Sequence, residues 1–314
     1  MEKPVVLFSL LGLPVTAYAL CVVLSLGAGM AGLWLRARKS LRPGTLGTLL
    51  TLALPLGLLG ARAFYCLARL SFYLEVGAAN MLYLWYGGYA LWGAVGGVAL
   101  AAFLTARITR QSAARLLDAL AAPAALTIAL CRFSEYFSGE GIGMYVENEA
   151  LRFFPLAVSN EWGEWYWAIF VLEGLAALAI MACLLRQRAR RPGDAARLFL
   201  LLYSACQVLL ESLRRDNFPR WLFVRVSQLT AVIVLAVMML FALGRWLKAR
   251  PRRLSAGRVA VCWLVFLLCV GACIALEFAV DKFPYLPIWL DYCLMAGCCV
   301  GLGWSAYQLS MKNQ

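Results

Sequence analysis

Residues 229–244 read LTAVIVLAVMMLFALG, sixteen positions without a charge and without any alternation of apolar and polar side chains. A half-buried strand would alternate with a period of two, so the run predicts a helix that is apolar on every side. In hydrocarbon, each backbone N–H and C=O has to be satisfied inside its own segment, which a helix achieves. Extended outward, the run becomes a segment of about 222–246, and eight others share its texture: about 5–35, 46–73, 81–105, 113–135, 163–185, 196–213, 257–278 and 286–309. A bilayer is crossed by roughly 20 apolar residues. The expectation is an all-α polytopic membrane protein with about nine transmembrane helices.

Composition points the same way. Of 314 residues, 63% are hydrophobic and 14% charged, with a mean hydropathy of +0.78. A soluble domain would carry roughly 25% charge. A cytoplasmic globular enzyme, a disordered chain and a disulfide scaffold are therefore excluded, and the unbroken runs exclude a β-barrel. All 11 cysteines lie within apolar runs, none in a CxxC pair, and there is no histidine. The thiols read as small hydrophobes, and neither a metal nor a cofactor is expected.

The net charge of +13 is spread unevenly. Basic residues gather in four hydrophilic breaks: Arg36, Arg38, Lys39 and Arg42; Arg107, Arg110 and Arg115; Arg186 through Arg197; and Arg245 through Arg258. Most carboxylates occupy the alternate breaks. That pattern assigns the basic breaks to the cytoplasm by the positive-inside rule, with anionic-lipid binding as their other use, and gives no nucleic-acid signature. The first segment reads as an uncleaved helix, preceded by an external amphipathic stretch, with its N-terminus outside. Nine crossings then leave the C-terminus in the cytoplasm.

The longest external break, about 136–162, has the size of a small head segment and ends in an aromatic cluster of Trp162, Trp165, Tyr166 and Trp167 suited to the interface. Beyond the last basic break, 257–314 reads as a two-helix hairpin appended to a seven-helix core of 1–246.

Several ionisable groups fall inside or at the ends of spans, where each costs about 2.5–3.5 kcal/mol on the insertion scale. They are Arg62 and Arg69, Arg132 and Glu135, Glu173, and Glu211 with Arg214 and Arg215. Helical spacing places Arg132 beside Glu135, and Glu211 beside Arg214 and Arg215. Two readings stay open. These are neutralised pairs that lock helices together, or they line a polar pocket for a phosphate, which the planar guanidinium grips bidentately. Glycines crowd the same layer: Gly87, Gly88, Gly93, Gly96 and Gly97, then Gly139, Gly141 and Gly143. Gly93 and Gly97 suit close helix packing, whereas Gly87-Gly88 would let a helix break and turn backbone amides toward an anion.

The run Cys131-Arg132-Phe133-Ser134-Glu135-Tyr136-Phe137-Ser138-Gly139-Glu140-Gly141-Ile142-Gly143, preceded by Asp118 and Pro123, resembles the G-R-x-G-N-F-I-N-G-E-x-x-G signature of bacterial prolipoprotein diacylglyceryl transferases. Gly60 through Tyr65 is similar to that family's G-x-R-x-G-Y, and Gly87 through Gly97 to its G-G-x-x-x-H-G-G-x-x-G. Tyr203 through Arg214 resembles Y-x-x-x-R-F-x-x-E-x-x-R, Ser227-Gln228 falls at S-M-G-Q, and Tyr18 matches a first-span tyrosine. Order and spacing agree over about residues 8–245. Four positions depart: Trp92 stands where the family has histidine, Glu135 and Ser138 where it has asparagines, and Gln207 where it has arginine.

The resemblance implies an inner-membrane enzyme that moves the diacylglyceryl group of phosphatidylglycerol onto a lipobox cysteine of a prelipoprotein, or onto another nucleophile. It also implies roles. Arg132 would hold the phosphate, with Arg62 and Arg214 as further cations. Glu140 would be the base or position the acceptor, and Glu135 is the other candidate base. Tyr18, Tyr65, Gly88, Gly139, Gly143 and Glu211 would shape the lipid site. A non-catalytic lipid-binding protein and a small-molecule transporter are the other readings of the chain.

Overall fold

The computed structural model describes residues 6–10, 13–38, 40–84, 87–187, 191–216, 219–221, 224–248, 254–282 and 288–311. Basic residues of the hydrophilic breaks such as Lys39, Arg188, Arg190, Arg252 and Arg253 lie outside these, as does the Glu2-Lys3-Pro4 start.

Among the described residues ten α-helices carry the fold: α1 Ala17–Ala37, α2 Thr45–Ala68, α3 Leu70–Val76, α4 Leu91–Thr109, α5 Ala113–Ser134, α6 Ile169–Arg186, α7 Asp194–Leu213, α8 Val226–Lys248, α9 Ala256–Lys282 and α10 Ile288–Met311. Among the described residues, all of these except α3 and α10 are long and apolar enough to cross a membrane. The ninth expected span, α10, forms a helix of 24 residues.

The stretch before the first span forms a β-hairpin. Strands β1 (Val6–Leu10) and β2 (Leu13–Thr16) pair antiparallel, with Phe8 opposite Val15 and Leu10 opposite Leu13. β-branched residues and Pro14 favour the extended chain there, and the Thr16 hydroxyl then accepts from the Ala19 N–H to cap α1. The aromatic cluster after the head segment is also strand rather than helix. β3 (Ile142–Tyr145), β4 (Ala157–Ser159) and β5 (Trp165–Ala168) form a three-stranded sheet in the order β3-β5-β4, which feeds directly into α6. A two-residue ribbon of β6 (Arg220–Trp221) and β7 (Val224–Arg225) precedes α8.

Helix α5 sits centrally and touches α1, α4, α6 and α7. Its buried stripe of Ala121, Ala122, Ala125, Ile128 and Ala129 follows the helical period, and the next position on that face is Arg132. The apolar pattern thus delivers a guanidinium into the protein interior. At the opposite end of the stripe, Asp118 accepts from the N–H groups of Gly193 and Ala196 and caps the start of α7. Helices α9 and α10 bury stripes of Val259, Cys262, Phe266 and Cys273, and of Met295, Cys299, Leu302, Ala306 and Leu309. These alternate in steps of three and four, as a left-handed helix pair requires, and α10 packs on α7 and α8 as well as on α9.

The tightest pair is α2 with α4. A Cβ built on Gly60 would lie 2.5 Å from the Gly93 carbonyl oxygen, and one on Gly97 would fall onto the Leu56 carbonyl. The obstacles are backbone atoms, which cannot rotate away. Gly97→Ala should therefore cost about 1–3 kcal/mol as an overpacking change and lower the thermal midpoint of the purified protein. Gly96→Ala, whose Cβ meets nothing within 4 Å, should leave it unchanged.

Candidate functional site

Seven elements bring polar groups to one end of the bundle, and two clusters result. The larger is built on the end of α5, the start of α6, the end of α7 with the segment after it, and strand β7 just before α8. Arg132 Nη1 reaches Glu135 Oε1 at 2.5 Å, the pairing expected from their spacing, and its Nε lies 3.3 Å from Glu173 Oε2. Arg214 Nη1 is 2.6 Å from Glu173 Oε2 and 3.2 Å from Glu135 Oε2, while its Nε donates to Asp216 Oδ2 at 2.9 Å. Arg225 pairs with Asp216 and, at 3.0 Å, with Glu211 Oε2. The Gln207 amide Nε2 lies 3.3 Å from both Glu173 and Glu211.

Glu211 is thus joined to Arg225, contrary to the helical expectation that pairs it with Arg214 and Arg215. The reason is local. Helix α7 ends at Leu213, and Arg214 takes an extended backbone with ψ 143°, so its side chain leaves the α7 face and crosses to α6. The Arg215 guanidinium points instead to Met144 Sδ and the Tyr292 hydroxyl.

In all, four carboxylates (Glu135, Glu173, Glu211, Asp216) surround three guanidiniums (Arg132, Arg214, Arg225), nearly all of them buried. Asp216 lies outside the spans. Despite its burial, Arg214 and Arg225 hold its carboxyl down to about 2, so it stays ionised.

The signature loop supports this cluster from above. Gly139 and Gly141 adopt φ +68° and +70°, which glycine reaches without strain. A Cβ on Gly141 would collide with Glu135 Oε2, and the Gly141 N–H donates to Asp216. A Cβ on Gly143 would lie 2.9 Å from Ile169 Cγ1 and 3.1 Å from the Leu213 carbonyl, so that glycine lets the strand pass between α6 and α7. Glu140 is exposed at the lip. Partial desolvation and the adjacent Glu135 push its carboxyl above the usual carboxylate range. Tyr18 of α1 stands within electrostatic reach of Glu135, Glu140 and Arg132.

The second cluster belongs to α2 and the chain leading into α4. Buried Arg62 donates through Nε to the Met81 carbonyl at 3.1 Å, through Nη1 to Gly87 and Gly88, and through Nη2 to Asn80 at 2.9 Å and Tyr83 at 3.2 Å. Its five N–H groups match five backbone carbonyls. The Gly87-Gly88 break therefore turns carbonyls toward a cation, not amides toward an anion. Both glycines have positive φ, and a Cβ on Gly88 would lie 2.5 Å from the Tyr65 ring. Tyr65 in turn stacks under Arg69. Arg62, Tyr65 and Gly88 are thus brought together, but apart from the Arg132 group.

Between the clusters stands Trp92. Its indole N–H donates to the Ser227 carbonyl at 3.1 Å, and its ring meets Tyr203 edge-on at 5.7 Å. Glu173, Asp216 and Arg225 complete the larger cluster, although the sequence reading places none of them among the site residues. Glu173 carries a signal there, as the charge lying deepest within a span. Among the described residues no group of three or more Cys, Asp or Glu is arranged to hold a metal.

The family model for prolipoprotein diacylglyceryl transferase matches residues 5–244. The chain belongs to this family. Relatives named phosphatidylglycerol–prolipoprotein diacylglyceryl transferase include one from Frankia alni, 33% identical over 70% of this chain and 60% of its own length. Another, from Bacillus licheniformis, is 26% identical over 71% of this chain and 86% of its own, and one from Shouchella clausii is 28% identical over 76% and 90%. The family match ends before α9, so the chain is a multi-pass member with two helices beyond the matched region.

Removing one partner from a buried ion network strands the other charge, at about 3–5 kcal/mol. Arg214→Met and Glu173→Leu should each destabilise the protein on that scale in denaturant titrations. The double variant should lose clearly less than the two single losses combined, because neither charge is then left alone.

Proposed function

We propose that this protein transfers the diacylglyceryl group of phosphatidylglycerol to an acceptor thiol, the reaction for which its relatives are named. The carrying observation is the signature loop closing over Arg132 and Arg214, with the Glu140 carboxyl at the lip. In the reaction the acceptor sulfur forms a bond to the glycerol carbon, the carbon–oxygen bond to phosphate breaks, and glycerol phosphate departs. Negative charge builds on the leaving oxygen, where a guanidinium stabilises it. Glu140 is the group best placed to take the thiol proton, since a carboxyl above its usual range is the stronger base. Trp92 offers no substitute for the family's histidine, because its one N–H is committed to Ser227.

Glu135 governs access to the cation. It holds Arg132 at 2.5 Å where the family pattern has an asparagine, so a phosphate reaches Arg132 when this carboxylate gives way. The same saturation of the guanidiniums favours a second reading, a member of the family that holds phospholipid without turning it over. Arg62, with its donors on carbonyls, serves as a brace for the 77–90 chain in both readings. The relatives' substrates supply the partners, phosphatidylglycerol and a prelipoprotein.

The alternation of basic breaks supports placement in the bacterial inner membrane with the site at the external end. In a background lacking native thiols, Arg186→Cys should resist a membrane-impermeant maleimide added from outside, and labelling there would invert the topology.

Purified protein incubated with labelled phosphatidylglycerol and a lipobox peptide should yield lipidated peptide and glycerol phosphate together. Phospholipid retention with neither product would favour the second reading. A charge-assisted contact is worth about 1.5–3 kcal/mol, so Arg132→Lys, which loses the bidentate fork, should lower turnover about ten- to hundredfold. Glu135→Asn should raise it. Trp92→His alone should change little, because Gln207 and Glu135 still differ from the family pattern.

A further inference from the structure

The helices beyond the family match carry a charge where lipid would be expected. Glu277 lies on the buried stripe of α9, one turn past Cys273, at the end of the bundle that holds the clusters. A carboxylate in a span is rare unless another group requires it. Here two groups receive it. Ser212 Oγ donates to Glu277 Oε2 at 2.5 Å, and Gln228 Nε2 lies 3.4 Å from the same oxygen while also donating to the Val208 carbonyl at 3.0 Å. All three side chains are buried. Ser212 is the neighbour of Glu211 and stands two residues before Arg214, while Gln228 stands three residues after Arg225. One carboxylate therefore fixes both helix ends from which three members of the charge network arise. From α10, Met295 Sδ approaches Ser212 at 3.8 Å, and the Tyr292 hydroxyl meets Arg215 at 3.4 Å.

We propose that the α9–α10 hairpin is a working part of the site, with Glu277 as a positioning residue that sets how α7 and α8 present Glu211, Arg214 and Arg225. It touches neither lipid nor acceptor and acts through Ser212 and Gln228. The inference rests on the transferase reading for its catalytic consequence, but its effect on lipid binding can be measured without turnover.

The test uses the full chain with Glu277→Leu, Ser212→Ala and Glu277→Gln, the last keeping an acceptor oxygen for Ser212. Each is assayed for thermal midpoint, for retention of labelled phosphatidylglycerol, and for transfer at saturating lipid. The expected result is a midpoint close to the parent's for all three. Turnover should fall at least tenfold in Glu277→Leu and Ser212→Ala, with KM for the peptide unchanged, and Glu277→Gln should stay within threefold of the parent. Parental turnover and lipid retention in Glu277→Leu would overturn the inference and leave the hairpin a passenger. Collapse of all three midpoints together would also overturn it, because the contact would then be structural alone. A parent without transfer activity would refute the transferase reading instead. The hairpin inference would then be decided by lipid retention, supported by a tenfold loss in Glu277→Leu that Glu277→Gln does not share.

Discussion

Burying an ion costs several kcal/mol unless partners surround it, and this protein gathers seven charged groups, five of them buried and Arg132 and Asp216 half-buried. The cost dictates much of the architecture. No single helix can neutralise Arg214, so α5, α6 and the segment after α7 must converge on it. The loop above must have glycine at 141 because the Glu135 carboxylate fills the space a side chain would need. Even Gln207 fits this logic, with one amide nitrogen placed between two carboxylates that would otherwise face each other.

The network is unlike an open phosphate trap. Its guanidiniums are engaged, its carboxylates outnumber them, and the indole of Trp92 packs edge-on against Tyr203 nearby. A site of this kind holds its cations in register at the expense of availability, so in the transferase reading an incoming phosphate would have to displace a carboxylate. Glu135 bridges two of the guanidiniums, with Oε1 at 2.5 Å from Arg132 and Oε2 at 3.2 Å from Arg214.

The spans were legible because unbroken apolar runs in hydrocarbon have one solution, and Arg132–Glu135 was legible because three residues along a helix is a contact. What escaped was non-local or depended on where a helix stops. The pairing of Glu211 turns on the end of α7 at Leu213, which apolar periodicity marks only loosely. The five carbonyls around Arg62 come from a chain folded back 18–26 residues away, beyond the reach of any spacing rule. Arg225 reads as the polar start of a span, and only the convergence of α7 with the ribbon before α8 makes it a partner. The small strands before α1 and α6 were hidden because short apolar runs look alike in both conformations.

The glycine contacts between α2 and α4 have a mechanical consequence. Backbone touching backbone at Gly60, Gly93 and Gly97 leaves no layer of side chains to deform, so the pair moves as one stiff plate. Arg62 fastens the connecting chain to that plate, and Tyr65 with Gly88 travels on it. The Arg132 group rides on the α5–α8 block. In the transferase reading, a two-chain lipid would therefore pass beside a wall that cannot yield, and any give would have to come from the α5–α8 side.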